Sequence, residues 1–142
     1  MENDCKFCAF VKGEKSVNAV FEDETTFAFM DYKPIFYGHC LVVPKEHFET
    51  IMDVPDELVS KLFKNAKILS AAVKKSMSSE GILIIINNTI SQSVPHLHIH
   101  IIPRKKGDGL KGFMWPRRLY ESDKQAEDIR LNIKKEVDGF FR

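Results

Sequence analysis

Five histidines are the residues of this chain best equipped for chemistry: His39, His47, His96, His98 and His100. Three of them recur at every second position, and a β-strand sets alternate side chains on one face. Residues 96–102 are therefore predicted to be a strand, with His96, His98 and His100 on one side and Leu97, Ile99 and Ile101 on the other. A single strand histidine is most often a hydrogen-bonded structural residue. Three in alternation lie only ~7 Å apart. Each brings one donor and one acceptor when neutral, and they repel one another when charged. The interleaved Leu and Ile and the internal position exclude an expression tag. Two chemistries suit the row. One is metal binding, since His-x-His can offer two ring nitrogens to one ion. The other is nucleophilic catalysis, in which one imidazole attacks from a solvent-facing position while its neighbours orient it and stabilise charge.

Cysteine offers a second set: Cys5, Cys8 and Cys40. An odd, low number argues against a disulfide framework. A thioredoxin-type pair follows a strand and opens a helix, and no strand pattern precedes Cys5-x-x-Cys8. A metal clip is the better reading, provided two further ligands exist.

The elements that must hold these residues follow from periodicity. Val17–Glu22 and Thr26–Asp31 read as short strands about a polar turn at residues 23–25, and residues 39–43 as a third strand that Pro44 stops. Asp53 and Pro55 open the strongest helix, whose apolar stripe is Leu58, Leu62, Ala66, Leu69, Val73 and Met77, with Gly81 as its end. The β-branched run at residues 82–86 is a buried strand. Residues 103–118 read as a basic, Gly-bearing loop. Ser122 and Gln125 form a capping box for a last helix carrying Ile129, Ile133, Val137 and Phe140. Phe7, Phe10 and Phe21 read as core. Helices segregated from a mostly antiparallel sheet of about five strands give an α+β fold.

Composition sets the outer limits. At 142 residues, 44% hydrophobic and 29% charged, the chain can bury roughly two-thirds of its unfolded surface in one core. A single domain over residues 1–142 is expected, with an N-terminal segment 1–12 and a C-terminal helix at 119–142. Lys and Arg total 21 against 20 acidic residues, so no global charge draws the chain to nucleic acid or an anionic membrane. The longest apolar run, residues 82–86, is far short of the ~20 residues that span a bilayer. The acidic start, Met1-Glu2-Asn3-Asp4, has no apolar signal core. The expected location is cytoplasmic.

The flanks of the histidine row decide between its chemistries. Gln92-Ser-Val-Pro-His96-Leu-His98-Ile-His100-Ile-Ile-Pro-Arg104 resembles the signature of the histidine triad (HIT) family. Phe27-Ala-Phe-Met-Asp31 and Gly38-His-Cys-Leu-Val-Val-Pro-Lys-Glu-His47 resemble further family blocks, and Gly107-Asp-Gly with Gly112-Phe-Met-Trp115 resembles the tail of microbial members. The likeness runs from about Cys5 to Trp115. It implies a HIT-like fold and a nucleotide hydrolase or nucleotidyl transferase acting on phosphoramidates or dinucleoside polyphosphates. His98 would attack the α-phosphorus through a covalent nucleotidyl-histidine, its far nitrogen held by a carbonyl. His100 would bond phosphate oxygens, and Ser93 would pass a proton to the leaving group. Asp31 would accept from ribose hydroxyls, and Asn87 and Gln92 would contact phosphate or ester oxygen. His39, apart from the family pattern, reads either as a partner beside the triad or as an ordinary strand histidine. Imidazole suits the work, being neutral and nucleophilic near pH 7.

The resemblance also implies a zinc-bearing branch, whose ligands correspond to Cys5, Cys8, His47 and His96. Two Cys and two His make a closed tetrahedral site, so this zinc would be structural. Similar proteins are homodimers with sheets joined across the interface, and Phe113 and Trp115 read as core or dimer contacts. Family members commonly carry Gly in the loop between Asn87 and Gln92, and here that loop has none. The loop from Arg104 to Arg118 holds six cations against Asp108 alone, either steering a polyphosphate or forming a solvated face. Two other readings stay open. One is a zinc hydrolase with the three triad histidines as ligands, and the other a nucleotide-binding or scaffold protein with little turnover.

Overall fold

A computed structural model describes residues 4–110 and 117–141, so Lys111, Gly112, Phe113 and Trp115 lie outside the described residues. The chain forms two compact units, one up to Asp108 and the other from Gly109 onward. In the first unit the elements run α1 (Lys6–Val11), β1 (Ala19–Glu22), β2 (Thr26–Met30), β3 (Cys40–Pro44), a 3-10 turn (Ile51–Asp53), α2 (Asp56–Ser76), β4 (Gly81–Ile86) and β5 (Ile99–Arg104). The second holds α3 (Asp123–Phe140). The five strands form one antiparallel sheet in the order β1-β2-β3-β5-β4. The α+β class and the antiparallel sheet of about five strands expected from sequence are borne out.

Both faces of the central strands are covered, which is why β2 and β3 read as nearly continuous apolar runs. On one face, Ala28, Cys40, Val42, Leu97, Ile99 and Ile101 pack under α2 through Leu62, Ala66 and Val73. Leu58, Leu69 and Met77, the rest of the predicted stripe, border the same cluster. On the other, Phe27, Phe29, Leu41 and Val43 meet Cys5, Phe7 and Cys8 of the α1 region. Alternation along β5 then puts the histidines on the α1 side and Ile99 and Ile101 under α2. Each fully buried Leu or Ile stabilises the sheet by about 1.5–3 kcal/mol, so the apolar half of the row fixes the register that aims the polar half.

Several sequence expectations needed correction. The regular strand starts at Ile99, the first residue paired with both β3 and β4, after His96 and His98; the Leu97 amide bonds the Phe48 carbonyl at 2.7 Å instead. At its far end β5 continues through Pro103 to Arg104, paired with Gly81 of β4. Pro44 is the last paired residue of β3, opposite Thr26. The long helix ends at Ser76 in a left-handed Ser78 (φ 50°), with the Ser79 amide bonded back to Lys74 and that of Ser78 to Lys75. Gly81 opens β4 instead. Phe21 lies on the outer strand β1 and is more than a third exposed. Helix α1 carries no long apolar period and was not expected. Within the second unit, Ser122 caps α3 by accepting from the Gln125 amide, and the Gln125 side chain accepts from the Glu121 amide rather than from Ser122.

Gly38 is the glycine that the fold requires. Its φ is +94°, and a Cβ there would stand 2.5 Å from Met77 Cγ. It opens the turn into His39, whose amide bonds Phe36 O at 3.0 Å. Gly38→Ala is expected to destabilise the fold by about 1–3 kcal/mol through the left-handed backbone alone. A urea midpoint equal to wild type would refute this.

Candidate active site and metal centre

Two centres share the tripeptide His96-Leu97-His98. The first joins Cys5, Cys8, His47 and His96, whose ligand atoms lie within 4.8 Å of one another. Cys5 is the N-cap of α1, its Sγ accepting from the Cys8 amide at 3.4 Å. This geometry brings both thiols to one end of the short helix. Cys5 Sγ lies 3.3 Å from His96 Nδ1, Cys8 Sγ 3.5 Å from the same atom, and Cys8 Sγ 3.4 Å from His47 Nδ1. Two ligands of a tetrahedral zinc, at ~2.3 Å for sulfur and ~2.0 Å for nitrogen, stand about 3.5 Å apart, so the set fits that ion. His96 Nε2–H donates to the Pro44 carbonyl at 2.8 Å, which leaves the Nδ1 lone pair aimed at the thiols. Burial pushes the His96 pKa down to about 4, so the ring is neutral at pH 7 and ready for a metal.

The second centre lies in the cleft beside it. His98 Nδ1–H donates to the His96 carbonyl at 2.7 Å, so the His98 Nε2 keeps its lone pair. The ring is 2% exposed, not solvent-facing as the strand pattern suggested. Burial lowers its pKa, which keeps it neutral. The Ile35 amide donates to His39 Nδ1 at 3.1 Å, so the proton of neutral His39 is on Nε2. That proton is directed at His100 Nδ1, 2.9 Å away. The Asp31 carboxylate stands 3.5 Å from the same His39 nitrogen and accepts from the Lys33 amide at 2.8 Å. Burial lowers the His39 pKa and, with the nearby His98 and His39, takes that of His100 to about 4. Neutral His100 with its Nδ1 accepting must carry its own proton on Nε2. The chain of bonds therefore sets a nucleophilic nitrogen on His98 beside a donor on His100, with ring centroids 4.8 Å apart.

The cleft itself is about 210 Å³, and among its lining residues are Phe7, Phe29, Asp31, Ser93, His98 and His100. It shares Lys6, Phe10, Val17, Met30, Asp31 and Tyr32 with a wider groove of about 640 Å³ that runs on to Lys15, Ser16 and Asn18. His39 stands behind this lining. Asn87 is outside it, just beyond β4. Gln92 is engaged in its own loop, accepting from the Thr89 amide at 2.9 Å and donating to Glu49 O at 2.6 Å. Asn88 ties the same loop to the Ile51 amide. In this Gly-free loop Thr89 and Ser91 take left-handed backbone (φ 73° and 60°), the conformation that glycine would adopt without strain. Arg104, the first cation of the basic stretch, is held by Asp108 at 2.6 Å. The cations lining the cleft are Lys6 and Lys33 instead. Sequence reasoning missed Lys6, Phe10 and Tyr32 because no period marks α1 or the loop after β2. The Lys6 ammonium, 5.7 Å from both the Phe10 and the Tyr32 ring centroids, is the contact that joins them.

Known proteins are similar to this chain in sequence and in fold. The HIT domain family matches residues 12–107. Adenylylsulfatase HINT3 of Arabidopsis thaliana is 34% identical over 140 residues, covering 96% of this chain and 71% of that protein. Adenosine 5'-monophosphoramidase HNT1 of Candida albicans is 32% identical over 139 residues, covering 94% and 91%. A HIT family protein of Bacillus subtilis, solved by crystallography, superposes with a TM-score of 0.85 at 32% identity over 93% of this chain and 96% of that one. With the five-stranded sheet, the histidine row and the matched span all in agreement, the chain belongs to the HIT family.

Proposed function

We propose that this protein is a nucleotide hydrolase or nucleotidyl transferase that attacks the α-phosphate of a nucleoside phosphoramidate or dinucleoside polyphosphate. The observation that carries the reading is the 2.7 Å bond from His98 Nδ1–H to the His96 carbonyl. It leaves Nε2 as the basic nitrogen of a neutral ring in a cleft. As that nitrogen bonds to phosphorus, the bond to the leaving group breaks, and Ser93 passes the departing group a proton. His100 Nε2–H bonds a phosphate oxygen as charge spreads over it. Water then displaces the imidazole, returns a proton to Ser93 and releases the nucleoside monophosphate. Asp31, at the junction of cleft and groove, suits ribose hydroxyls, and Asn87 and Gln92 remain the proposed phosphate contacts of the loop. The related adenylylsulfatase and monophosphoramidase support this substrate class.

Cys5, Cys8, His47 and His96 would hold a structural zinc. With four protein ligands it would supply no open position for water, so hydrolysis would depend on His98 and not on a metal hydroxide. A homodimer is part of the same reading. β4 is an outer strand of the sheet, with Ile84 46% exposed, and such an edge is a template for pairing with a second copy. A site built on the reduced thiols of Cys5 and Cys8 suits the reducing cytoplasm. The test is a panel of adenosine 5'-phosphoramidate, adenylyl sulfate and diadenosine polyphosphates, assayed for AMP release by the zinc-loaded protein. The phosphoramidate is expected to be turned over. Failure to hydrolyse any of the three would leave a binding protein.

A further inference from the structure

Nucleophile geometry in this cleft depends on more than a hydrogen bond. The His96 carbonyl anchors one atom of the His98 ring, and the tolerance of a hydrogen bond in length and angle still leaves that ring room to tilt. In-line attack needs the reacting atoms held within about 10–20° and half an ångström. The second constraint must come from what packs against the ring.

Two rings meet it. His100 is one, already used as a donor. The other is Phe7, whose centroid lies 5.1 Å from that of His98 at an interplanar angle of 87°, the perpendicular arrangement aromatic pairs favour. Phe7 is 5% exposed and gripped in turn. Phe29 stands 5.2 Å away at 65°, Phe10 6.1 Å away and His96 5.9 Å away. Its backbone lies between the two thiols of Cys5-x-x-Cys8, on a turn of helix that Cys5 itself caps. Few side chains in the cleft are held from so many directions, and Phe7 touches both the metal-centre histidine and the attacking one.

We propose that Phe7 is a positioning residue for His98. Its ring sets the plane in which the imidazole presents Nε2 to phosphorus, and the Cys5–Cys8 turn holds that ring in place. This rests on the reading of His98 as the nucleophile. An apolar wall would need only bulk here, whereas an orienting surface needs a flat ring.

The test is single-turnover nucleotidyl transfer by the full-length, zinc-loaded chain, with AMP affinity, zinc content and melting temperature measured beside it. Phe7→Leu keeps apolar bulk and removes the plane. It is expected to slow the covalent step at least about tenfold, since ångström-scale misplacement of a nucleophile costs up to about a hundredfold. Because Phe7 also lines the cleft, the rate is read at saturating nucleotide, where weaker AMP binding alone does not slow the covalent step, and zinc content should stay at the wild-type level. Phe7→Tyr, which restores a ring, should return the rate to within about threefold of wild type. An unchanged rate with weaker AMP binding would make Phe7 only a wall of the pocket and overturn the proposal. If Phe7→Leu melts early or loses zinc, Phe7→Met is read in its place, and the same loss in both would make the role structural and overturn it as well. His98→Ala runs in parallel. If it retains the rate, the nucleophile reading falls. If it is dead while Phe7→Leu is as fast as wild type, only the positioning role falls.

Discussion

Replacing His98 with Ala is expected to slow turnover about a thousandfold or more, because the covalent route loses its nucleophile and several kcal/mol of barrier return. Nothing else in the cleft substitutes. His100 Nδ1 faces His39 at 2.9 Å, and His96 Nδ1 faces the thiols while its Nε2 is bonded to Pro44 O. Each neighbouring imidazole thus has its lone pair committed to the protein. The His98 ring is 2% exposed, so the Ala variant also leaves a small void and should melt somewhat below wild type. His98→Asn, which fills more of that space, separates the two effects. Rapid quenching during turnover of wild type should trap the nucleotide on His98. More than a tenth of the wild-type rate in either variant, or a nucleotide trapped on His100, would end the assignment.

The second large effect is expected from the metal centre. Changing Cys5 and Cys8 together to Ser should reduce bound zinc from one per chain to none. It should also lower stability by about 3–5 kcal/mol, since metal affinity for a clip of this kind is folding free energy. Roughly 10–20 °C of melting temperature corresponds to that loss in a domain of this size. Helix α1 is only six residues long, below the length at which helices persist unaided, so it depends on the thiols, on Phe7 and on the face it covers. The α2 side of the sheet, with its own apolar cluster, should keep the rest of the chain folded. Purified wild-type protein free of zinc under reducing conditions would remove the claim.

How far the sequence carried these conclusions depended on whether a residue's role was set locally. The period-two row around His98 and the stripe from Leu58 to Met77 were legible, because burial on one side of a strand or helix leaves a mark at fixed spacing. The pairing of Cys5-x-x-Cys8 with His47 and His96 was reachable only through family likeness. The thiols and His96 are separated by some ninety residues, and no local pattern spans that distance. Helix α1 was invisible for another reason: six residues do not complete a hydrophobic period, and its N-cap is a cysteine, outside the usual Ser, Thr, Asp and Asn. Phe7 consequently read as ordinary core. Its neighbour His98 lies some ninety residues away in sequence, and only folding brings the two rings together.

The Ile35 amide has a consequence for metal selectivity. Asp31, His39 and His100 also bring possible ligand atoms within 4.8 Å of each other, a two-histidine, one-carboxylate set that iron or zinc would ordinarily welcome. A neutral imidazole can give its Nε2 to a cation only if its proton moves to Nδ1, and in His39 that atom already faces the Ile35 N–H at 3.1 Å. Two donors would then point at each other in a buried place. One backbone amide thus discriminates between these two clusters of the described residues. The thiol-bearing set, whose His96 Nδ1 faces the sulfurs, meets no such obstacle.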